Sequence, residues 1–238
     1  MKHENGFFYM DGLPDGDPRA LKTPEQAIEF IEKRGLVPLF SCEAAGFSLE
    51  EQVTCREWWT GSAADPWEWR EIIAASGRVA YGKLFGTRMG FCSLALFPYL
   101  CAYRRDGYDF DTLIEMGKAP MRERVIMDAL KENDEPSYRI RRIAGFGKDG
   151  YKGYETNLSS LMNQTYLVIR DFARKRKKNG EEYGWPVAYY TTPERRFGEE
   201  LVRSAYTLTK EQAAERLMAH LRAVSPETPE QALRALIG

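Results

Sequence analysis

Residues 153–190, GYETNLSSLMNQTYLVIRDFARKRKKNGEEYGWPVAYY, decide how this chain reads. Leu158, Leu161 and Met162 recur at helical spacing, so 154–163 is predicted as a helix. Residues 165–172 have strand composition and alternate around Tyr166, Val168 and Asp171. A polar turn at 173–184 carries five consecutive cations, Arg174, Lys175, Arg176, Lys177 and Lys178, and 185–191 reads as a returning strand. Helix, strand, charged turn, strand is the order of a recognition helix followed by a wing.

The segments upstream complete that unit. Residues 121–131 form an apolar-faced helix with Val125, Ile126, Ala129 and Leu130 inward. A turn at 133–136 follows, then a short helix at 137–144 capped by Ser137, then the glycine-rich link GFGKDGYKG at 145–153. Helix, helix, helix, hairpin over 118–198 is a helix-turn-helix plus wing.

Earlier in the chain, residues 1–22 are rich in Gly, Pro and Asp and read as a loose arm. Thr23, Pro24 and Gln26 start a helix that Gly35 ends. The same TPEQA recurs at 228–232, and a helix-start signal used twice explains it. Asp65-Pro66 opens another helix, with Trp67, Trp69, Ile72 and Ile73 as its apolar positions. Residues 81–84 fit strand or helix, and 92–103 read as a buried helix with strand as the alternative. Residues 23–117 are therefore an N-terminal, mainly helical domain, open to a reading as a degenerate winged helix in tandem with the second. Residues 199–238 form C-terminal helices, with Thr209 and Gln212 as a capping pair. The expected fold class is mainly α with small β-hairpins, an α+β winged helix-turn-helix.

Formal net charge is only −1 over 238 residues, so any polyanion surface must come from segregated charge. The segregation is there: residues 138–180 hold eleven Lys/Arg against three Asp/Glu. Cys42, Cys55, Cys92 and Cys101 show no zinc spacing, which fits a reduced cytoplasmic setting and no metal site. No signal-peptide pattern and no 18-residue apolar run is seen. With His3 and His220 alone, a histidine-based triad or metal centre is not expected, nor is a cofactor. Neither GKLFGTRMG at 82–90 nor GFGKDGYKG has phosphate-loop spacing. Oligomeric state leaves no signature.

Four constellations could carry function. The five wing cations gain nothing from mutual proximity in folding, whereas a polyanion rewards it through counterion release; the plain alternative is a solvated hairpin tip. Lys148, Lys152, Tyr154 and Asn157, with Ser159, Ser160 and Asn163, could reach phosphate or base edges, or be the polar side of an amphipathic helix. That helix lacks Arg, which favours weak sequence preference. Trp58, Trp59, Trp67 and Trp69, with nearby carboxylates, could form a base-stacking pocket or a tryptophan-rich core. Arg104 and Arg105 beside acidic residues make either an ion-pair knot or a phosphate contact.

The phrases RGLVPLF, DPWEWREIIAASGRVAYGKLF, GFCSLALFPYL, YRRDGYDFD and YETNLSSLMNQTYLVIRDF…NGEEYGWPVAYYTTPE, in this order over roughly residues 23–205, resemble the AlkZ-related proteins. These are short relatives of winged-helix DNA glycosylases that unhook interstrand crosslinks. The resemblance implies tandem winged helices and duplex DNA as partner. The glycosylases add a C-terminal β-barrel, which is not expected here because 199–238 reads as helices. They also carry a Gln-x-Gln or Gln-x-Asp pair that positions the attacking water. The matching positions here are Val37 and Leu39, which can neither orient nor deprotonate water. The resemblance thus implies the DNA-binding scaffold without the family's chemistry. The alternatives are an active glycosylase using a relocated carboxylate, with Glu43 and Asp65 as candidates, or a protein-interaction module.

Overall fold

A computed structural model describes residues 2–4, 7–177 and 179–238. Lys178 lies outside the described residues, as does the side chain of Arg176.

Strands β1 (Lys2–Glu4) and β2 (Phe7–Tyr9) pair antiparallel. The rest of the expected loose arm is tied down. Met10 N donates to Cys55 O at 3.0 Å, Leu13 N to Val53 O at 2.8 Å and Leu21 N to Gln52 O at 2.8 Å.

Helix α1 (Pro24–Arg34) begins where the sequence placed it, with Thr23 Oγ1 accepting from Gln26 N at 3.2 Å. The Gln26 side chain accepts from Lys22 N at 2.7 Å, so the expected box closes one residue early. Gly35 ends the helix at φ +89°, and a Cβ there would lie 2.4 Å from the Leu96 side chain. Only glycine satisfies both the backbone and the space. Strand β3 (Leu36–Pro38), a 3-10 turn (Glu50–Gln52), helix α2 (Pro66–Ser76) and the hairpin β4 (Val79–Phe85)–β5 (Arg88–Ser93) follow. In α2, Trp69 and Ile73 are buried as predicted, while Ile72 faces solvent at 55% exposure. The stretch read as one buried helix at 92–103 divides: β5 ends at Ser93, and α3 (Phe97–Arg105) starts after a turn. Helix α4 (Phe110–Glu115) then leads into the second half.

There, α5 (Met121–Ala129), β6 (Glu135–Pro136), α6 (Ser137–Ile143), α7 (Tyr154–Asn163) and the hairpin β7 (Val168–Arg176)–β8 (Glu182–Thr191) succeed one another. Ser137 is the first helical residue of α6 and makes no cap; Pro136 precedes it, extended. The hairpin is longer than predicted. Arg174 and Lys175 belong to β7, and beyond it Lys177 N donates to Glu181 O at 2.8 Å. Helices α8 (Pro193–Phe197), α9 (Glu199–Arg203), α10 (Lys210–Val224) and α11 (Glu230–Ile237) complete the fold, so 199–238 is helical and forms no barrel. Thr209 and Gln212 cap α10 reciprocally.

The two halves share a topology. In each, a helix leads to a very short strand, and that strand pairs antiparallel with the second strand of a later hairpin. The sheet orders are β3-β5-β4 and β6-β8-β7. Their hydrophobic core is continuous across the expected boundary at 117/118. Ile31, Val37, Ile73 and Phe91 from the first half pack in one cluster with Ile126, Leu158, Leu161 and Ile169 from the second. Each such buried side chain contributes about 2 kcal/mol. A second cluster joins Leu36, Leu84 and Cys92 to Leu217, Leu221, Leu233 and Leu236 of the C-terminal helices.

Candidate nucleic-acid interface

Helix α7 is amphipathic, and its polar side is only partly free. Tyr154 belongs to the core: it is 4% exposed and donates its hydroxyl to Ser137 O at 2.9 Å. Burial pushes that hydroxyl up to about 12. Ser159 accepts from Lys83 Nζ at 2.9 Å, and Asn163 grips Gly86, so one edge of the helix docks on the β4–β5 hairpin. Asn157 is half-buried and donates to Gly153 O at 2.7 Å. Lys152 donates to Gly147 O at 2.6 Å and to Lys148 O, which clamps the glycine-rich loop; Lys148 and Lys152 are both exposed.

Among the described side chains of the β7–β8 hairpin, Arg174 and Lys177 are exposed and Lys175 is half-buried. Arg174 is exposed and donates to Gly184 O at 2.9 Å. Lys177 pairs with Glu181 at 3.0 Å, so part of the tip's charge is neutralised within the turn. The ammonium of Lys175 lies 4.7 Å from the centre of the Tyr138 ring, joining the hairpin to α6. Helix α6 exposes Arg139, Arg141 and Arg142, of which Arg139 pairs with Glu135 at 3.0 Å. Arg141 and Arg142 were not singled out from the sequence; the charge density of 138–180 was the signal that contained them.

A cleft of about 260 Å³ opens between the first half and the β7–β8 hairpin. Leu39, Phe40, Trp67, Tyr81, Phe172 and Tyr190 line it, with Arg70, Lys83 and Glu155 among its polar groups. The Arg70 guanidinium sits 3.7 Å from the Trp67 ring centre and 4.8 Å from that of Phe172, bridging the two walls. Of the predicted aromatic pocket, only Trp67 reaches this cleft. Trp59 packs behind it at 6.1 Å, while Trp58 and Trp69 are 2% and 1% exposed and belong to the core. Arg70, Tyr81, Phe172 and Tyr190 come from separate elements, and no local pattern marked them.

Neither carboxylate candidate lines the cleft. Glu43 is exposed and pairs with Arg88 at 3.1 Å, and the Arg88 hydrogen bond holds its carboxyl below the ordinary range. Asp65 is fully buried and accepts from Trp67 N at 2.9 Å, Gly61 N at 2.9 Å and Trp59 N at 3.1 Å. It caps α2 and closes the preceding loop. A larger hollow of about 510 Å³ lies among α4, α5, α8 and α9, but its charges cancel locally, as in Arg203–Asp109 at 2.8 Å.

The Arg104–Arg105 pair is a knot, with more distant partners than the sequence suggested. Arg105 reaches Glu194 at 2.5 Å, Tyr206 Oη at 2.8 Å and both oxygens of Thr165, whose backbone is held at φ +64°. Burial works against its charge, but Cys101, Glu194 and Tyr206 outweigh that and hold the guanidinium above its ordinary value. Arg104 donates to Leu84 O at 2.7 Å, Asn163 O at 2.9 Å and Ile237 O at 3.1 Å; burial pulls it down to about 10.

A family model described as AlkZ related matches residues 21–238, nearly the whole chain. The chain belongs to the AlkZ-related family. No curated protein and no solved structure matches it. In this AlkZ-related chain, the positions where the resemblance calls for a polar pair are buried and apolar. Val37 is 0% exposed within β3, and Leu39, 1% exposed, presents an apolar wall to the cleft. Among the described residues, no helix of the AlkZ-related chain is long and apolar enough to cross a membrane.

Proposed function

We propose that this AlkZ-related protein is a cytoplasmic DNA-binding protein related to the repair glycosylases that has lost their hydrolytic pair. The unit at 121–191 acts as a winged helix and holds duplex DNA, with the β7–β8 hairpin as wing. The unit at 24–93 is a second, reduced copy that supports it. One observation carries the reading. Exposed cations from three segments, Arg141 and Arg142 on α6, Lys148 in the loop before α7, and Arg174 on β7, belong to one unit, and the half-buried Lys175 over Tyr138 joins two of the segments directly. Phosphate contacts of this kind orient a protein on DNA without specifying sequence. The apolar Leu39 wall supports recognition without base excision.

The test is affinity for a duplex oligonucleotide against salt concentration. Binding should weaken steeply, with a slope of about −0.9 for each phosphate neutralised. Absence of binding at low salt refutes the reading.

A further inference from the structure

The β7–β8 hairpin does not stay in simple register. Ala173 pairs with Val187, and Lys175 with Tyr183. Arg174 alone therefore faces Gly184, Trp185 and Pro186. A bulge of this kind bends the strand and re-aims the side chain it carries. Three residues build it. Gly184 supplies φ +74°, which side chains rarely adopt. Arg174 closes it by donating to Gly184 O. Pro186 fixes its own φ and removes a backbone donor.

The residue held at its apex is Trp185, 86% exposed, the most exposed of the large apolar side chains among the described residues. Tyr183, two positions away, is 45% exposed. Tryptophan is highly buried on average, and folding gains nothing from holding one in water. Cations stand close by: Arg174 faces it on β7, and the next residue, Lys175, pairs with Tyr183 and lies over Tyr138 of α6. An apolar protein surface would have to desolvate these cations. A nucleic-acid strand satisfies both features together, because every base has a π-face and every linkage a phosphate.

We infer that Trp185 is a stacking platform for an unstacked DNA base, so that the protein prefers DNA with an unpaired base over continuous duplex. The inference rests on the duplex-binding reading above and adds what the wing selects. Stacking is tolerant of base identity, so the selected feature is loss of pairing and not sequence.

The experiment uses the full chain, a duplex with one unpaired 2-aminopurine, and the continuous duplex of the same sequence. Bound to the parent protein, the 2-aminopurine fluorescence should be quenched by stacking. Trp185→Ala should abolish the quenching and weaken binding to the bulged duplex ~10-fold, while leaving both the continuous-duplex affinity and the salt slope unchanged. Trp185→Phe should retain most of both effects. Equal binding of both DNAs by the parent and Trp185→Ala, or no quenching by the parent, overturns the inference and leaves duplex binding standing. Failure of the parent to bind either DNA overturns the duplex reading itself, and this inference with it.

Discussion

Asn163 and Gly86 exchange two hydrogen bonds. Gly86 N donates to Asn163 Oδ1 at 2.9 Å, and Asn163 Nδ2 donates to Gly86 O at 2.6 Å. One side chain thereby pairs with both backbone groups at the tip of β4–β5, fastening that hairpin to the end of α7. Asn163→Ala leaves both groups unpaired and should cost ~1–2 kcal/mol in urea unfolding. Amide exchange at Gly86 should accelerate selectively; an unchanged Gly86 rate would mean that the clamp holds nothing.

Docking of the first hairpin leaves the second as the free cationic projection. Arg174→Ala combined with Lys175→Ala should reduce the salt slope of duplex binding by ~2, at about 0.9 per phosphate contact. Glu43→Ala, in an exposed pair with Arg88, should leave it unchanged. A double variant with the parental slope would remove these residues from the interface.

Arg105 holds α3, the Thr165 turn and α8 together from a fully buried position. Arg105→Met strands Glu194 and the Thr165 carbonyl, so unfolding free energy should fall by ~3 kcal/mol. Lysine should not restore it, because a point ammonium cannot replace the guanidinium fork. A loss below ~1 kcal/mol in the urea midpoint analysis would show that the knot is dispensable.

Asp134 joins Arg170 and Arg195, each at 2.9 Å. Burial opposes its charge, but hydrogen bonds from Thr191, Arg195 and Arg170 win and lower its folded value. Its stabilising contribution is therefore present above the unfolded-state value of about 3.9 and is lost as pH falls through that value toward the lower folded one. Melting temperature against pH should show this acid limb, and Asp134→Asn should flatten it. An identical limb in the variant would assign the loss to other carboxylates.

Crosslinked or alkylated duplex incubated with the protein should yield no abasic sites, since Leu39 gives the cleft an apolar wall where the resemblance calls for a polar side chain. Asp65→Ala should cost ~1 kcal/mol of stability as a lost helix cap. Accumulation of abasic sites would establish an active glycosylase, and persistence of that activity in Asp65→Ala would place the catalytic group elsewhere.

The sequence made local features legible. Helix α7 has the predicted bounds because its apolar spacing is unambiguous, and the caps at Thr23 and Thr209 are short-range chemistry. The stretch 92–103 misled because a continuous apolar run suits a buried strand and a buried helix alike. The charged segment after Phe172 was read as turn because Arg and Lys mask strand pairing, here with partners in β8 such as Tyr183 opposite Lys175. The cleft was least legible. Trp67 was visible as an aromatic, but Tyr81, Phe172 and Tyr190 meet it through tertiary packing alone. Trp185 needed the register of two strands before its exposure carried meaning.

Strands β3 and β6 are three and two residues long, and each completes its sheet by reaching across a chain separation of nearly equal length, Leu36 to Cys92 and Glu135 to Tyr190. Closing such loops has an entropic cost that a few backbone bonds cannot meet alone. During synthesis, β3 therefore has no partner until β5 has emerged, and β6 waits for β8. In each half the shortest strand can join its sheet only once the hairpin that it pairs with has been made.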